Sequence, residues 1–184
     1  MVMIITGLDL ETTGLDFDKG DRIIEVCLDV HRLDGDDLVR IKTITQRINP
    51  MRAISKEAQQ VHNIALEDLK AAPKWEEFAP TVAKILASTD MLVIHNAAFD
   101  MPFIAGEMRR VGSPVRLDLQ AFCTMENGRW ATFDGKRPSL KELCWSLGVE
   151  YDATKAHGAD YDTHLMMECY TKGQKLGLFE KQKR

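Results

Sequence analysis

The chain has 184 residues, of which 45% are hydrophobic and 28% charged, the balance of a folded globular protein long enough for one core. Lys and Arg number 24 against 28 Asp and Glu, a formal charge of −4. That excludes a broad basic coat for nucleic acid, but not an enzyme that gathers its carboxylates at one site. No apolar run nears the roughly 20 residues that cross a bilayer, so no membrane association is expected. Met1 to Ile5 lacks the basic region and cleavage site of a signal peptide. The expected compartment is therefore cytoplasmic. Cys27, Cys123, Cys144 and Cys169 are expected to be free thiols, mostly buried.

Residues 3–10 are an apolar run ended by Thr12-Thr13-Gly14, which reads as a buried strand and a turn. Residues 22–30 and 38–48 read as two further strands around the turn cluster 34–37, all three antiparallel neighbours. The period then changes. Residues 55–60 suggest a short helix capped by Ser55. Trp75, Phe78, Ala79, Val82, Ile85 and Leu86 recur at helical spacing over 75–88. Residues 91–94 form a brief apolar strand, expected parallel to the first and buried on both faces. A helix over about 98–111 follows, with Pro102 expected in its first turn. Residues 112–136 are the least readable. Residues 139–147 suggest a helix that Gly148 ends, and a last helix spans about 159–173. Residues 177–184 are expected to be a frayed tail, polar from Glu180 on. The pattern describes an α/β layer fold over one domain, residues 1–184.

Three segments carry the chemistry. Side chains alternate on a strand, so Asp9 and Glu11 share one face while Leu8 and Leu10 share the other. Two acids at the end of a buried strand are unfavourable unless neutralised, and hard divalent cations do this with oxygen ligands. Alone the pair is weak, because about four such pairs arise by chance at this acid content. His95-Asn96-Ala97-Ala98-Phe99-Asp100 directly follows the strand 91–94, and ligand sites in open α/β sheets lie beyond the strands' carboxyl ends. Asp100 shares a helical stripe with Phe103, Ile104, Glu107, Met108 and Val111, which turns it inward, although a helix-capping role is the competing reading. Asp162 shares a stripe with Leu165, Met166 and Cys169 at the start of the last helix, where the helix dipole favours an anion. Asp160 faces elsewhere. His157 precedes that helix and is free to point into the same cleft, where it could take a proton near neutral pH. Four inward carboxylates balance two divalent cations, the usual device for in-line displacement at phosphorus. The residues alone therefore point to metal-assisted phosphodiester hydrolysis.

The stretch Asp9-Leu10-Glu11-Thr12-Thr13-Gly14, the stretch His95 to Asp100, and His157 with Asp162 five positions on resemble the three motifs of the DEDDh (DnaQ-like) family of 3′–5′ exonucleases. The likeness runs through most of the chain. It includes Arg22-Ile23-Ile24-Glu25, Val61-His62, Ser139-Leu140 and Leu143-Cys144. It implies a ribonuclease H-like three-layer fold, a five-stranded mixed sheet flanked by helices. It implies that Asp9, Glu11, Asp100 and Asp162 bind two Mg²⁺ ions, with Mn²⁺ as a substitute, and that His157 is the general base. Gly158 stands where the tyrosine branch would carry Tyr. For the 3′-terminal nucleotide the resemblance implies the backbone near Leu10, the Thr12-Thr13 turn, Glu57, His62, Asn96 and Phe99. Glu57 also reads as a dipole-favoured first-turn acid, and Phe99 as core.

The implied activity releases nucleoside 5′-monophosphates from single-stranded or frayed 3′ ends of DNA. The Thr-Thr pair is similar to the proofreading branch, whose members serve a DNA polymerase; small RNA-trimming members carry Met in place of Thr12. Proofreading members dock on their polymerase through a long C-terminal segment, and docking by that route is not expected for a chain ending here. The competing functions are an RNA-trimming exonuclease of the same family and a catalytically silent nucleic-acid-binding module. The complete acid set argues against the latter.

Overall fold

Two apolar runs and one alternating β-branched segment in the first fifty positions build a meander. A computed structural model describes residues 2–113, 116 and 119–179. Strand β1, Met3–Thr12, pairs antiparallel with β2, Ile23–Asp34, in a register running from Met3 opposite Leu33 to Glu11 opposite Glu25. β2 pairs antiparallel with β3, Asp37–Arg47. Gly35 supplies the left-handed residue of the tight turn between them, at φ 63°. β4, Met91–Ile94, runs parallel to β1, and β5, Gln120–Cys123, runs parallel to β4. The mixed sheet has five strands in the order β3-β2-β1-β4-β5.

Helices cover both faces. They are α1, Lys56–His62; α2, Trp75–Ala87; α3, Ala97–Arg110; α4, Thr124–Asn127; α5, Leu140–Leu147; and α6, Ala159–Lys175. On one face Leu8, Leu10, Val26 and Leu28 pack with Trp75, Val82 and Ile85 of α2 and Phe103, Ile104 and Met108 of α3. On the other, Ile5, Val93 and Phe122 pack with Leu143 and Leu147 of α5 and Leu165, Met166 and Cys169 of α6. The period-2 and period-3.6 patterns thus end as a three-layer ribonuclease H-like fold. The caps at Ser55 and Gly148 sit where expected. Ser55 accepts the Ala58 N–H at 3.1 Å, Ser139 and Glu142 form a capping box, and Gly148 ends α5 at φ 63°.

Three expectations change. Pro102 lies in the second turn of α3, not the first. The carbonyl it cannot bond belongs to exposed Ala98, so the helix absorbs it. β5 emerges from the unreadable stretch; of its own four residues only Phe122 is buried, and no alternation marks a strand. Residues 177–179 are not a frayed tail. Phe179 is 1% exposed and packs its ring on Phe122, Tyr170 and Trp130. Residues 180–184 lie outside the described residues. Among the described residues the four cysteines are free, and no helix is long and apolar enough to cross a membrane.

Candidate active site

The site forms where β1 runs on past the end of β4. Their parallel register, Gly7 beside Val93, carries Asp9, Glu11 and the segment after Ile94 to one edge of the sheet. Asp9 and Glu11 share the parity of Ile5 and Gly7, the face that α6 covers. Gly7 lets that helix approach closely. A Cβ there would stand 2.7 Å from Met167 Cγ and 2.9 Å from Thr163 Cγ2. Asp100, in the first turn of α3, is 2% exposed, and the stripe Phe103, Ile104, Glu107 and Met108 is buried with it. Asp162 lies in the first turn of α6.

The four acids lie within electrostatic reach of one another. Burial, then Glu11, Asp162 and Glu25, push the Asp9 carboxyl well above the usual range. Burial, then Asp162, Glu25 and Asp100, push Glu11 up to about 8. Burial and Asp9 raise Asp100 against the pull of its own backbone N–H and that of Leu10. Burial raises Asp162 against the His157 backbone N–H, donated to Oδ2 at 3.0 Å. Asp162 Oδ1 is buried without a hydrogen-bond partner. Among the described residues no three His, Cys, Asp or Glu side chains are already gathered as a metal cage. The acids stand within mutual electrostatic reach without forming a preformed ligand shell. Their all-oxygen donor set, mutual repulsion and orphaned oxygen fit hard divalent cations.

His157 is exposed, with left-handed backbone at φ 65°, just ahead of α6. His62 is buried at the end of α1 beside the Thr12 backbone. Its Nδ1 accepts the Ile64 N–H at 3.0 Å, which leaves the ring proton on Nε2. Asn96 precedes α3 at φ 74° without capping it. Phe99 packs on Phe103 at 5.1 Å between ring centroids, so it belongs partly to the core. Glu57 is exposed in α1's first turn. The Leu10 side chain is core. The Thr12 hydroxyl donates to the Gly14 carbonyl at 2.6 Å and that of Thr13 to Asp21 at 2.9 Å, so both hold the turn. Lys136 and Arg137 pair with Glu142 and Glu126.

Two residues had been assigned no role. Glu25 sits opposite Glu11 and raises its neighbours' pKa values. A lone acid in the apolar run Ile23 to Cys27 was the available signal. His95 shares a 2.9 Å hydrogen bond with Thr124, and burial lowers it to about 4. A cleft of about 920 Å³ opens between Met3, Met91, Gln120 and Tyr170 at the opposite end of β1 and lies apart from these acids.

The exonuclease family model matches residues 6–170. DNA polymerase III subunit epsilon of Rickettsia typhi is 34% identical over 170 residues, covering 89% of this chain and 70% of that protein. The chain belongs to the DnaQ-like 3′–5′ exonucleases. A second DnaQ-like relative, the epsilon subunit of Escherichia coli K12, is 33% identical over 177 residues, covering 89% and 68%. The zinc-bound E. coli exonuclease I complex with single-stranded DNA has a TM-score of 0.80 at 16% identity, covering 97% of this chain. This chain spans 42% of that one. Exonuclease X in complex with 5′-overhanging duplex DNA has a TM-score of 0.66 at 22% identity, covering 94% and 93%. These structural likenesses show the DnaQ-like fold.

Proposed function

We propose that this DnaQ-like exonuclease removes nucleoside 5′-monophosphates from single-stranded or frayed 3′ ends of DNA, with Asp9, Glu11, Asp100 and Asp162 holding two Mg²⁺ ions that Mn²⁺ can replace. The observation that carries it is the convergence of these carboxylates, from three segments, at one sheet edge where each raises another's pKa. The epsilon relatives support DNA as the substrate, and they support a polymerase as partner.

Divalent cations bound there supply Lewis-acid polarisation of the phosphodiester. His157 takes the proton of the attacking water. Its backbone N–H on Asp162 ties base and acid into one segment. The backbone at Leu10 and the Thr12-Thr13 turn bind the terminal nucleotide, flanked by His62, Glu57, Asn96 and Phe99. A pocket closed around a terminus cannot accept an internal phosphodiester, which gives the exonucleolytic preference.

The test is a time course on 3′- and 5′-labelled single strands of DNA and RNA, with Mg²⁺ or a chelator. Early release of a labelled mononucleotide from the 3′ end, with stepwise shortening of 5′-labelled DNA, is the expected result. Faster cleavage of RNA would replace the DNA assignment with an RNA-trimming one. Absence of Mg²⁺-dependent cleavage would leave a binding module.

A further inference from the structure

Glu25 is 7% exposed near the start of β2, in a run that is otherwise apolar. The register sets it opposite Glu11 on β1 and opposite Arg47 on β3. A buried carboxylate beside other acids is unfavourable on its own, so its two contacts matter. Oε1 accepts from Arg47 Nε at 3.1 Å, and Oε2 accepts from the Ala159 N–H at 3.2 Å.

Ala159 is the first residue of α6 and is fully buried. The preceding position is Gly158, which has no side chain to satisfy the first-turn amides. Glu25 therefore supplies from a neighbouring strand the cap that the local sequence lacks. The segment it grips is the one that carries the chemistry. His157 lies two residues before Ala159, with left-handed backbone at φ 65°. Asp162 lies three residues after, with Oδ2 on the His157 N–H. Thr163 then donates its hydroxyl to the Ala159 carbonyl at 2.5 Å, so both sides of this first turn are tied.

We infer that Glu25 is a positioning residue: its carboxylate, braced by Arg47, anchors the Ala159 N–H and thereby sets Asp162 and His157 against Asp9 and Glu11. Both its oxygens are engaged in this grip, which makes it a holder of the site's third segment. The inference rests on the exonuclease reading of that site.

The experiment compares Glu25→Ala, Glu25→Gln and Arg47→Ala in the full chain. It reads kcat and KM on a single strand with Mg²⁺, and amide hydrogen exchange in metal-free protein. Glu25→Ala should lower kcat about 10- to 100-fold, the usual range for a group that orients metal ligands, with KM little changed. Exchange should accelerate at Ala159 and its first-turn neighbours but not in α2. Glu25→Gln keeps an acceptor for the Ala159 N–H and should recover most of both readouts. Arg47→Ala should fall between. Wild-type kcat in Glu25→Ala would overturn the assignment. So would a Gln variant no better than Ala, or protection lost evenly through the chain. If Glu25→Ala does not fold, unchanged exchange at Ala159 in Arg47→Ala and an inactive Gln variant would count the same way. A wild-type protein that fails to cleave would remove the exonuclease reading, while exchange at Ala159 would still decide whether Glu25 anchors α6.

Discussion

Asp162 illustrates what burial does to a single carboxylate. One oxygen is held by the His157 backbone and the other has no partner. Burial raises its pKa, and burial together with neighbouring acids, Asp162 among them, does the same to Asp9 and Glu11. Removing one of these charges relieves repulsion. Asp9→Ala or Asp162→Ala should therefore abolish cleavage while the thermal midpoint stays level or rises. Residual cleavage in both variants would reject the shared metal site. His157→Ala should lower kcat by about 10²–10⁴, the range for a lost general base, without altering binding of Mn²⁺ alone.

His95 makes a prediction of another kind. Burial holds its ring neutral, with a folded-state pKa of about 4. An unfolded histidine takes up its proton near 6.5. The depressed value contributes stability that is complete above the unfolded pKa and is lost as pH falls toward the folded one. The expected slope there reaches about 1.4 kcal/mol per pH unit. In urea titrations between pH 7 and 4, His95→Asn should flatten that portion of the curve. An identical slope in the variant would contradict the assignment.

At the scale of elements, the decisive contact is α6 on β1. Gly7 has no side chain, and Thr163 and Met167 occupy the space a Cβ would need. The Met side chain can yield, but a β-branched Thr is stiff. Gly7→Val should therefore destabilise by about 1–3 kcal/mol, as overpacking does. It should also lower kcat beyond what the lost stability explains, because Asp162 adjoins Thr163. A variant with reduced stability and unchanged kcat would detach the helix position from the chemistry. α3 is pinned differently. Its buried Glu107 is gripped by Arg22 from β2's approach and by Arg110 from its own last turn. The amphipathic stripe had placed Glu107 inward, but its partners lie 85 residues and 3 residues away in sequence, and only the local one was legible.

For the whole molecule, the acids and the core oppose each other. Two apolar layers clamp a sheet whose edge holds carboxylates that repel. A cation that binds the folded state alone must stabilise it by mass action. Mg²⁺ or Mn²⁺ should raise the melting temperature of the wild-type chain, a chelator should reverse the rise, and Asp9→Ala should show none. Equal shifts in wild type and variant would place the ion elsewhere.

The sequence by itself determined the meander, the parallel β4 and the long helices, and it singled out the four acids and His157 as candidates, because alternation, helical period, caps and three ordered motifs are local signals. The tertiary structure alone decided the rest. β5 carries too few buried residues to mark itself, and it exists because β4 offers it a parallel edge. Phe179 is buried because Phe122, Tyr170 and Trp130 receive it. Glu25 becomes part of the site through cross-strand register and the arrival of α6 from 134 residues away. Short-range pattern fixes what a segment can become. Which charges meet is set by packing between segments that no local pattern connects.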